Sequence, residues 1–431
     1  MAKLIVGIVR IGSIHLLFIL SIRAGEELTQ LQNEMFALFN CTNALYPGVY
    51  PAVRKFEAEL ITMVKTMLHG DDDTVGVVTS GGTESILLAV LAYRNLARER
   101  DSNYSPEIIC NAAAHAALDK ASKYFDVKLV KLDLEGDLRL HAAQVEPYIN
   151  KNTIAIYASA PTFPHGVIDP IPELGKLALK YRIGLHVDNC LGGFLLTPLK
   201  EMGLIPPGKD FDFDVPGVTS ISCDGHKYGL ASKGVSFVLF SDNAYRRATV
   251  CGVTDWAGGY YVTSTMQGSR SGAILANAWA TMMYLGKQGY QQKARVMYDA
   301  HRYLCDEVNS IPDLKTVTDC DASIVSFSSD TIDVYAVAGQ MIKKGWSVIC
   351  LQLPPAAHIC LGETTDKIKE HWVEDLKECA NYVRNNPKAT TEGSAGIYGT
   401  TAVLPNDKIE DLLKTYCDIR VKVKTTENRS H

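Results

Sequence analysis

Apolar positions recur at helical spacing near the front of the chain. Leu28, Leu31, Met35 and Leu38 share one face of a helix predicted over residues 26–39. Tyr46-Pro47-Gly48-Val49-Tyr50-Pro51 follows, and its two prolines force an extended or turning path. The helical period returns over 53–68, where Phe56, Leu60, Val64 and Met67 line one face. From residue 75 the pattern becomes short apolar runs separated by helical stretches. Runs at 75–79, 107–112, 127–132, 154–159, 184–187 and 220–222 predict strands. Stretches at 84–100, 118–124 and 172–181 predict helices between them. Such alternation implies parallel pairing, because each crossover carries the chain back along the sheet, with helices covering both faces.

Beyond Arg270 a long helix is predicted over 273–303, followed by short elements that include 322–327 and 366–382. The pattern divides the chain into an apolar segment (1–25), a helical segment (26–70), a large domain (71–312), a smaller C-terminal α+β domain (313–420) and a polar tail (421–431) expected to be disordered. Composition agrees with such a size: of 431 residues, 47% are hydrophobic, enough for two or three domains at about 150 residues each.

Charge narrows the function classes. Lys+Arg number 43 and Asp+Glu 48, a balance of 43 − 48 = −5, with no clustered basic face of the kind nucleic acid requires. The eleven cysteines are scattered without paired CxxC spacing, which argues against zinc, and no metal site is expected. Scattered free thiols suit a reducing compartment. Sequons at Asn40, Asn103 and Asn428 matter only in a secreted chain. Residues 4–22 are long and apolar enough to cross a bilayer, but Arg10 and His15 interrupt them, and a central arginine costs about 2.5–3.5 kcal/mol on insertion. Three readings stand: a poor transmembrane anchor, a signal-like segment without an A-x-A cleavage site, and an apolar stretch folded onto the body.

Four features carry candidate chemistry. Ser80-Gly81-Gly82-Thr83-Glu84-Ser85 opens a helix after a strand, where glycines admit an anion to the helix N-terminus. The plainer reading is a cap by Ser80 or Thr83. His115 lies between a strand and a helix; it can stack on an aromatic cofactor or simply be a satisfied core histidine. Asp188, at the end of a strand, can pair with a protonated ring nitrogen or cap a turn. Lys227, beside His226 at the end of a buried strand, can be an amine whose pKa burial lowers toward nucleophilicity, or a solvated loop lysine. All four fall at strand ends, where open α/β sheets bind ligands, in the order phosphate loop, stacking ring, acidic partner, lysine.

The stretches SGGTESILLAV, FPHGVIDP, TDWAGG, GSRSG and NPKATTEGSAGIYG, with Ser222-Cys223-Asp224-Gly225-His226-Lys227-Tyr228-Gly229, resemble the group II decarboxylase superfamily of pyridoxal-phosphate (PLP) enzymes, fold type I. Within it they resemble the sphingosine-1-phosphate lyases, from about Tyr46 to Tyr398. The resemblance implies a PLP-dependent transferase-like α/β fold, with a large, mainly parallel domain of the seven-stranded kind and a smaller C-terminal α+β domain. It implies that Lys227 holds PLP as a Schiff base and later acts as acid and base, that His115 stacks on the ring, and that Asp188 binds the ring nitrogen. Gly81, Gly82, Thr83 and His226 would hold the cofactor phosphate, with Ser269 contributing from a partner subunit. Tyr46 and Tyr50 would lie toward the substrate phosphate. The implied reaction cleaves a phosphorylated sphingoid long-chain base to a fatty aldehyde and phosphoethanolamine, in a homodimer anchored in the endoplasmic reticulum with its catalytic part in the cytosol. A glutamate-type decarboxylase is the competing reaction, and a cytoplasmic enzyme the competing location. One departure stands out. Lyases of this kind carry an N-terminal Ser-Gly-x-Val-Tyr segment at the active site, and Ile19-Leu20-Ser21-Ile22-Arg23-Ala24-Gly25 takes its place here. Its loss raises a third reading, an impaired relative or a truncated product that keeps the cofactor.

Overall fold

The computed structural model describes residues 25–101, 104–319, 321–387 and 405–421. The first two helices form where the apolar period predicts them, α1 over Glu26–Phe39 and α2 over Pro51–Met67. Pro51 opens α2, a position where the N–H that proline lacks would have had no helical partner. Leu60 and Val64, one turn apart, are fully buried.

Seven strands follow: β1 (Val75–Thr79), β2 (Glu107–Asn111), β3 (Lys128–Leu132), β4 (Thr153–Ser159), β5 (Gly184–Asp188), β6 (Ser220–Cys223) and β7 (Ser236–Phe240). Helices α3 (Gly82–Arg100), α4 (Ala117–Phe125), α5 (Ile171–Tyr181) and α6 (Gly193–Glu201) connect them. The sheet order is β1-β7-β6-β5-β4-β2-β3. Pairs β2–β3, β2–β4, β4–β5 and β5–β6 are parallel, as the alternation predicts. β7 runs antiparallel to both β6 and β1. No helix intervenes between Cys223 and Ser236, so the chain returns by a short loop, and a short return can only be antiparallel. That loop carries Lys227. Strands β2, β5, β6 and β7 are buried along their whole length, consistent with helices on both faces.

A hairpin of β8 (Cys251–Trp256) and β9 (Gly259–Thr263) stands apart from the large sheet and exposes Trp256, Tyr260 and Val262. Helix α7 (Gly272–Ser310) is bent at Gly286, whose φ of 55° and ψ of −175° leave the helix at little cost to glycine. It packs on α1 and α2 and continues to a second sheet. There β10 (Lys315–Thr316), β11 (Ile324–Ser328), β12 (Ile349–Leu351) and β13 (Ala356–Cys360) pair antiparallel in the order β10-β11-β13-β12. Helices α8 (Val334–Lys343) and α9 (Thr365–Asn385) pack together against a separate core that includes Phe327 and Trp372. A last helix, α10, spans Asn406–Val421.

The apolar run 4–22, the Ile19–Gly25 departure up to residue 24, residues 388–399 of the late motif and the tail from 422 lie outside the described residues. Among those described, no helix is long and apolar enough to cross a membrane.

Candidate active site

β1 ends at Thr79, and the chain turns through Ser80 and Gly81 into α3. Neither Ser80 nor Thr83 caps this helix. Ser80 gives its N–H and its Oγ to one carboxylate oxygen of Glu84, at 2.7 and 2.5 Å. The other Glu84 oxygen accepts from Met266 N–H at 2.8 Å. With no side-chain oxygen bound to them, the leading N–H groups of α3 keep their affinity for an anion. A Cβ at Gly82 would stand 2.8 Å from Cys190 Sγ and 3.0 Å from both Asp224 carboxylate oxygens. Only a bare backbone fits so closely over those groups.

Asp188 closes β5, in register with Ser159 on β4 and Ser222 on β6. Tyr157 Oη donates to its Oδ2 at 2.5 Å, while Ser222 Oγ and the Cys190 N–H donate to Oδ1 at 3.1 Å each. Burial works to raise its pKa, but His115, the Tyr157 hydrogen bond, Lys227 and His186 outweigh it and hold Asp188 below the usual carboxylate range. Two residues earlier on the strand, burial pushes His186 down to about 4, so that ring is neutral at neutral pH. One strand thus presents a buried anion next to a buried neutral ring.

Lys227 lies in the β6–β7 loop, with Nζ 3.0 Å from Asp224 Oδ2. Burial pulls its pKa down, yet Asp224 above all, then Cys190 and Asp188, raise it above the ordinary lysine value. The expected lowering by burial is therefore overturned: with this carboxylate in contact, the free amine is held as an ammonium. The loop is braced by Tyr228 Oη donating to Leu361 O at 2.8 Å and Tyr290 Oη donating to Gly229 O at 2.9 Å. His115 Nδ1 accepts from the Ala117 N–H at 3.1 Å, which orients its ring at the start of α4.

These groups converge on a cavity of about 330 Å³ at the carboxyl ends of the strands. Gly81, Gly82, Thr83, His115, Asp188, His226 and Lys227 all line it. Ser269, Tyr46 and Tyr50 do not. Ser269 Oγ instead accepts from Asn43 Nδ2 at 2.9 Å, and Tyr46 is more than half exposed. The cavity also takes in Ser159, Pro161, Phe163, Cys190 and Asp224, which sequence reading did not single out.

A family model described as the pyridoxal-dependent decarboxylase conserved domain matches residues 4–330. The chain belongs to the pyridoxal-dependent decarboxylase family. Within that family it belongs with the sphingosine-1-phosphate lyases. It is 39% identical to sphingosine-1-phosphate lyase 1 of Rattus norvegicus over 92% of this chain and 70% of that one. It is 41% identical to the sphingosine-1-phosphate lyase of Arabidopsis thaliana over 90% of this chain and 72% of that one. The solved sphingosine-1-phosphate lyase of Burkholderia pseudomallei superposes with a TM-score of 0.85 at 32% identity, covering 93% of this chain and 89% of that one. Glutamate decarboxylase of Lactobacillus brevis shares the fold, with a TM-score of 0.77 at 21% identity over 89% of this chain and 92% of that one. Fold type I and PLP dependence follow from family membership.

The cavity fits that cofactor. Asp224 Oδ1 and His226 Nδ1 are buried and have no hydrogen-bond partner among the described residues, and both residues line the cavity beside the bare start of α3. Buried polar atoms are normally satisfied, so two unsatisfied ones at a polar cavity mark a place for a polar ligand. Family decarboxylases thus supply the explanation for a feature that the protein part alone leaves open.

Several residues missed by sequence reading act on a neighbour. Tyr157 and Ser222 orient Asp188, and Glu84 braces the phosphate loop. Glu84 alone had a local signal, since a glutamate at the third helical position commonly reaches back to the residues before the helix.

Proposed function

We propose that this chain is a carbon–carbon lyase that cleaves phosphorylated sphingoid long-chain bases to a fatty aldehyde and phosphoethanolamine. The observation that carries it is the convergence, on one cavity, of the uncapped α3 N-terminus, the ionised Asp188 and the Lys227–Asp224 pair. Kinship with sphingosine-1-phosphate lyases supplies the substrate class.

In this reading Lys227 Nζ holds PLP covalently. Gly81, Gly82, Thr83 and His226 hold its phosphate, Asp188 its ring nitrogen, and His115 packs on its ring. Bound PLP supplies an electron sink for the pair released when the Cα–Cβ bond breaks. Asp188 stays ionised through His115 above all, then through the Tyr157 hydrogen bond, so it can keep a ring proton in place. Lys227 Nζ, freed as an amine, would take the proton that the substrate hydroxyl loses as the Cα–Cβ bond breaks; Asp224 would hold the resulting ammonium in place, and Nζ would return that same proton to the carbon left by the departing aldehyde. The test is to incubate PLP-loaded protein with a phosphorylated long-chain base and measure aldehyde and phosphoethanolamine. Carbon dioxide from glutamate with no aldehyde would move the chain to the decarboxylases, and neither product would leave the impaired relative.

Two further parts of the proposal concern assembly and place. The exposed Trp256, Tyr260 and Val262 of the β8–β9 hairpin favour a homodimer, in which Ser269 would reach the neighbouring site. Sedimentation of an active monomer would refute it. The apolar run 4–22 favours an endoplasmic reticulum anchor with the catalytic part in the cytosol, a proposal tested by membrane fractionation with and without residues 1–24.

A further inference from the structure

Polar and apolar residues both line the cavity. Of the apolar ones, Ile86 and Leu191 are almost fully buried, whereas Phe163 is only partly buried. Phe163 is therefore the apolar ring that a ligand meets. It lies on the 160–168 loop after β4, far in sequence from the small sheet, yet that sheet holds the loop in place.

Ser326 on β11 and His358 on β13 are direct cross-strand partners. Side chains so paired lie on one face of a sheet, within reach of the same object. Here the object is the loop. His358 Nδ1 donates to Pro164 O at 2.7 Å, and Ser326 Oγ donates to His165 O at 3.1 Å. His165 Nε2 in turn donates to Leu353 O at 3.0 Å. Two consecutive carbonyls of a buried turn thus find their donors on two adjacent strands of another sheet. Backbone carbonyls buried this way require partners, so moving the donors moves the turn. The His358 ring also meets the Phe163 ring edge to face, with centroids 5.0 Å apart and planes at 88°, a favoured aromatic geometry. His358 is fully buried, so it has no solvent-facing alternative.

We infer that His358 is a positioning residue that holds Phe163 in the cavity wall, and that Phe163 is the contact for the substrate's hydrocarbon chain and sets its preferred length. The inference rests on the lyase reading for the identity of that chain. The physical content is independent of it: a partly exposed apolar ring lining the cavity, held by a donor and a ring from the second sheet.

The test uses PLP-loaded wild type, His358→Ala, His358→Asn and Phe163→Ala. For each, the near-visible cofactor band, kcat and KM with a long-chain and a short-chain phosphorylated base, and backbone amide exchange over 162–167 are recorded. His358→Ala is expected to keep the band, to raise KM for the long-chain base roughly tenfold while leaving the short-chain KM within about twofold, and to speed exchange in the loop. Phe163→Ala is expected to lose the same chain discrimination without the faster exchange. His358→Asn keeps a donor near Pro164 O but lacks the ring, so slow exchange should persist while discrimination falls. A folded His358→Ala with wild-type discrimination and exchange overturns the inference. So does equal loss on both chain lengths together with the band, which is a merely structural role. If His358→Ala does not fold, His358→Asn decides: unchanged discrimination there overturns it. If wild type cleaves neither base, the lyase reading fails, and the exchange measurement alone still judges the positioning role.

Discussion

Two buried lysine–aspartate pairs in this molecule look alike and are built for opposite ends. Lys200 on α6 lies 2.9 Å from Asp212, which is fully buried, and also contacts Asp210 and Asp214. His69 Nδ1 donates to Asp212 Oδ2 at 2.9 Å, and the Asp214 N–H donates to Asp212 Oδ1 at 3.2 Å. Every oxygen of Asp212 is used. Lys227 lies 3.0 Å from Asp224, equally buried, but among the described residues Asp224 Oδ1 and the neighbouring His226 Nδ1 have no partner, and both residues line a cavity. Both lysines are held above their ordinary pKa by carboxylates that outweigh burial. The direction of the lysine pKa does not distinguish them. What separates a structural clamp from a reactive site is the set of hydrogen bonds left open.

The sharpest test of that difference is Lys227→Ala. It is expected to abolish the near-visible band and to lower turnover by roughly three orders of magnitude or more, since the covalent attachment point is gone. Absorbance and a turnover assay check it, and a surviving band would break the comparison at once. The next effect falls on the other pair. Lys200→Met leaves three carboxylates facing one another, with Asp212 fully buried, and should cost roughly 3 kcal/mol of stability, somewhat less than a fully enclosed pair because the lysine is partly exposed. Denaturant midpoints measure it, and the cofactor band should survive in whatever fraction folds.

A third, smaller effect probes the closeness of the phosphate loop. Gly82→Ala drives a methyl against Cys190 Sγ and the Asp224 carboxylate, and should weaken PLP binding by about tenfold, read from a cofactor titration. The smallest concerns orientation. Tyr157→Phe removes one donor from Asp188, and turnover should fall roughly three- to tenfold. Its sign with pH is also set. Asp188 has a lowered pKa in the fold, so its ionised form is present above that pKa and is lost as pH falls through it. Without Tyr157 the pKa rises, and the acid limb of the pH–rate profile should move to higher pH.

Much of the fold was legible because its signals are local. The β1 strand, the α1 helix and most of the sheet strands coincide with their apolar runs to within a residue or two. The second sheet was read only in outline. β12, at three residues, is too short for periodicity to register. The site was legible wherever chemistry sits at a strand end, which is why Lys227, Asp188, His115 and the Gly81–Gly82 turn fell where they were expected. Tyr46, Tyr50 and Ser269 do not line this chain's own cavity; the first two were expected toward the substrate phosphate and Ser269 from a partner subunit.

The sequence by itself determined which residue types stand at the ends of the strands, and the family resemblance of its motifs implied the cofactor class. Short-range rules suffice for the placement: a glycine turn before a helix, an acid closing a strand, a lysine in a tight return. Only the tertiary structure decided their charge states and their supports. Asp224, three residues before Lys227 in the same loop, reverses the pKa shift that burial alone would give it once the fold buries the pair, and His115 and Tyr157 hold Asp188 ionised from other strand ends of the sheet. His358 reaches Pro164 across 194 residues of chain. Hydrogen bonds and Coulomb forces act through space over a few ångströms, and sequence spacing carries no record of which distant groups the fold will bring that close.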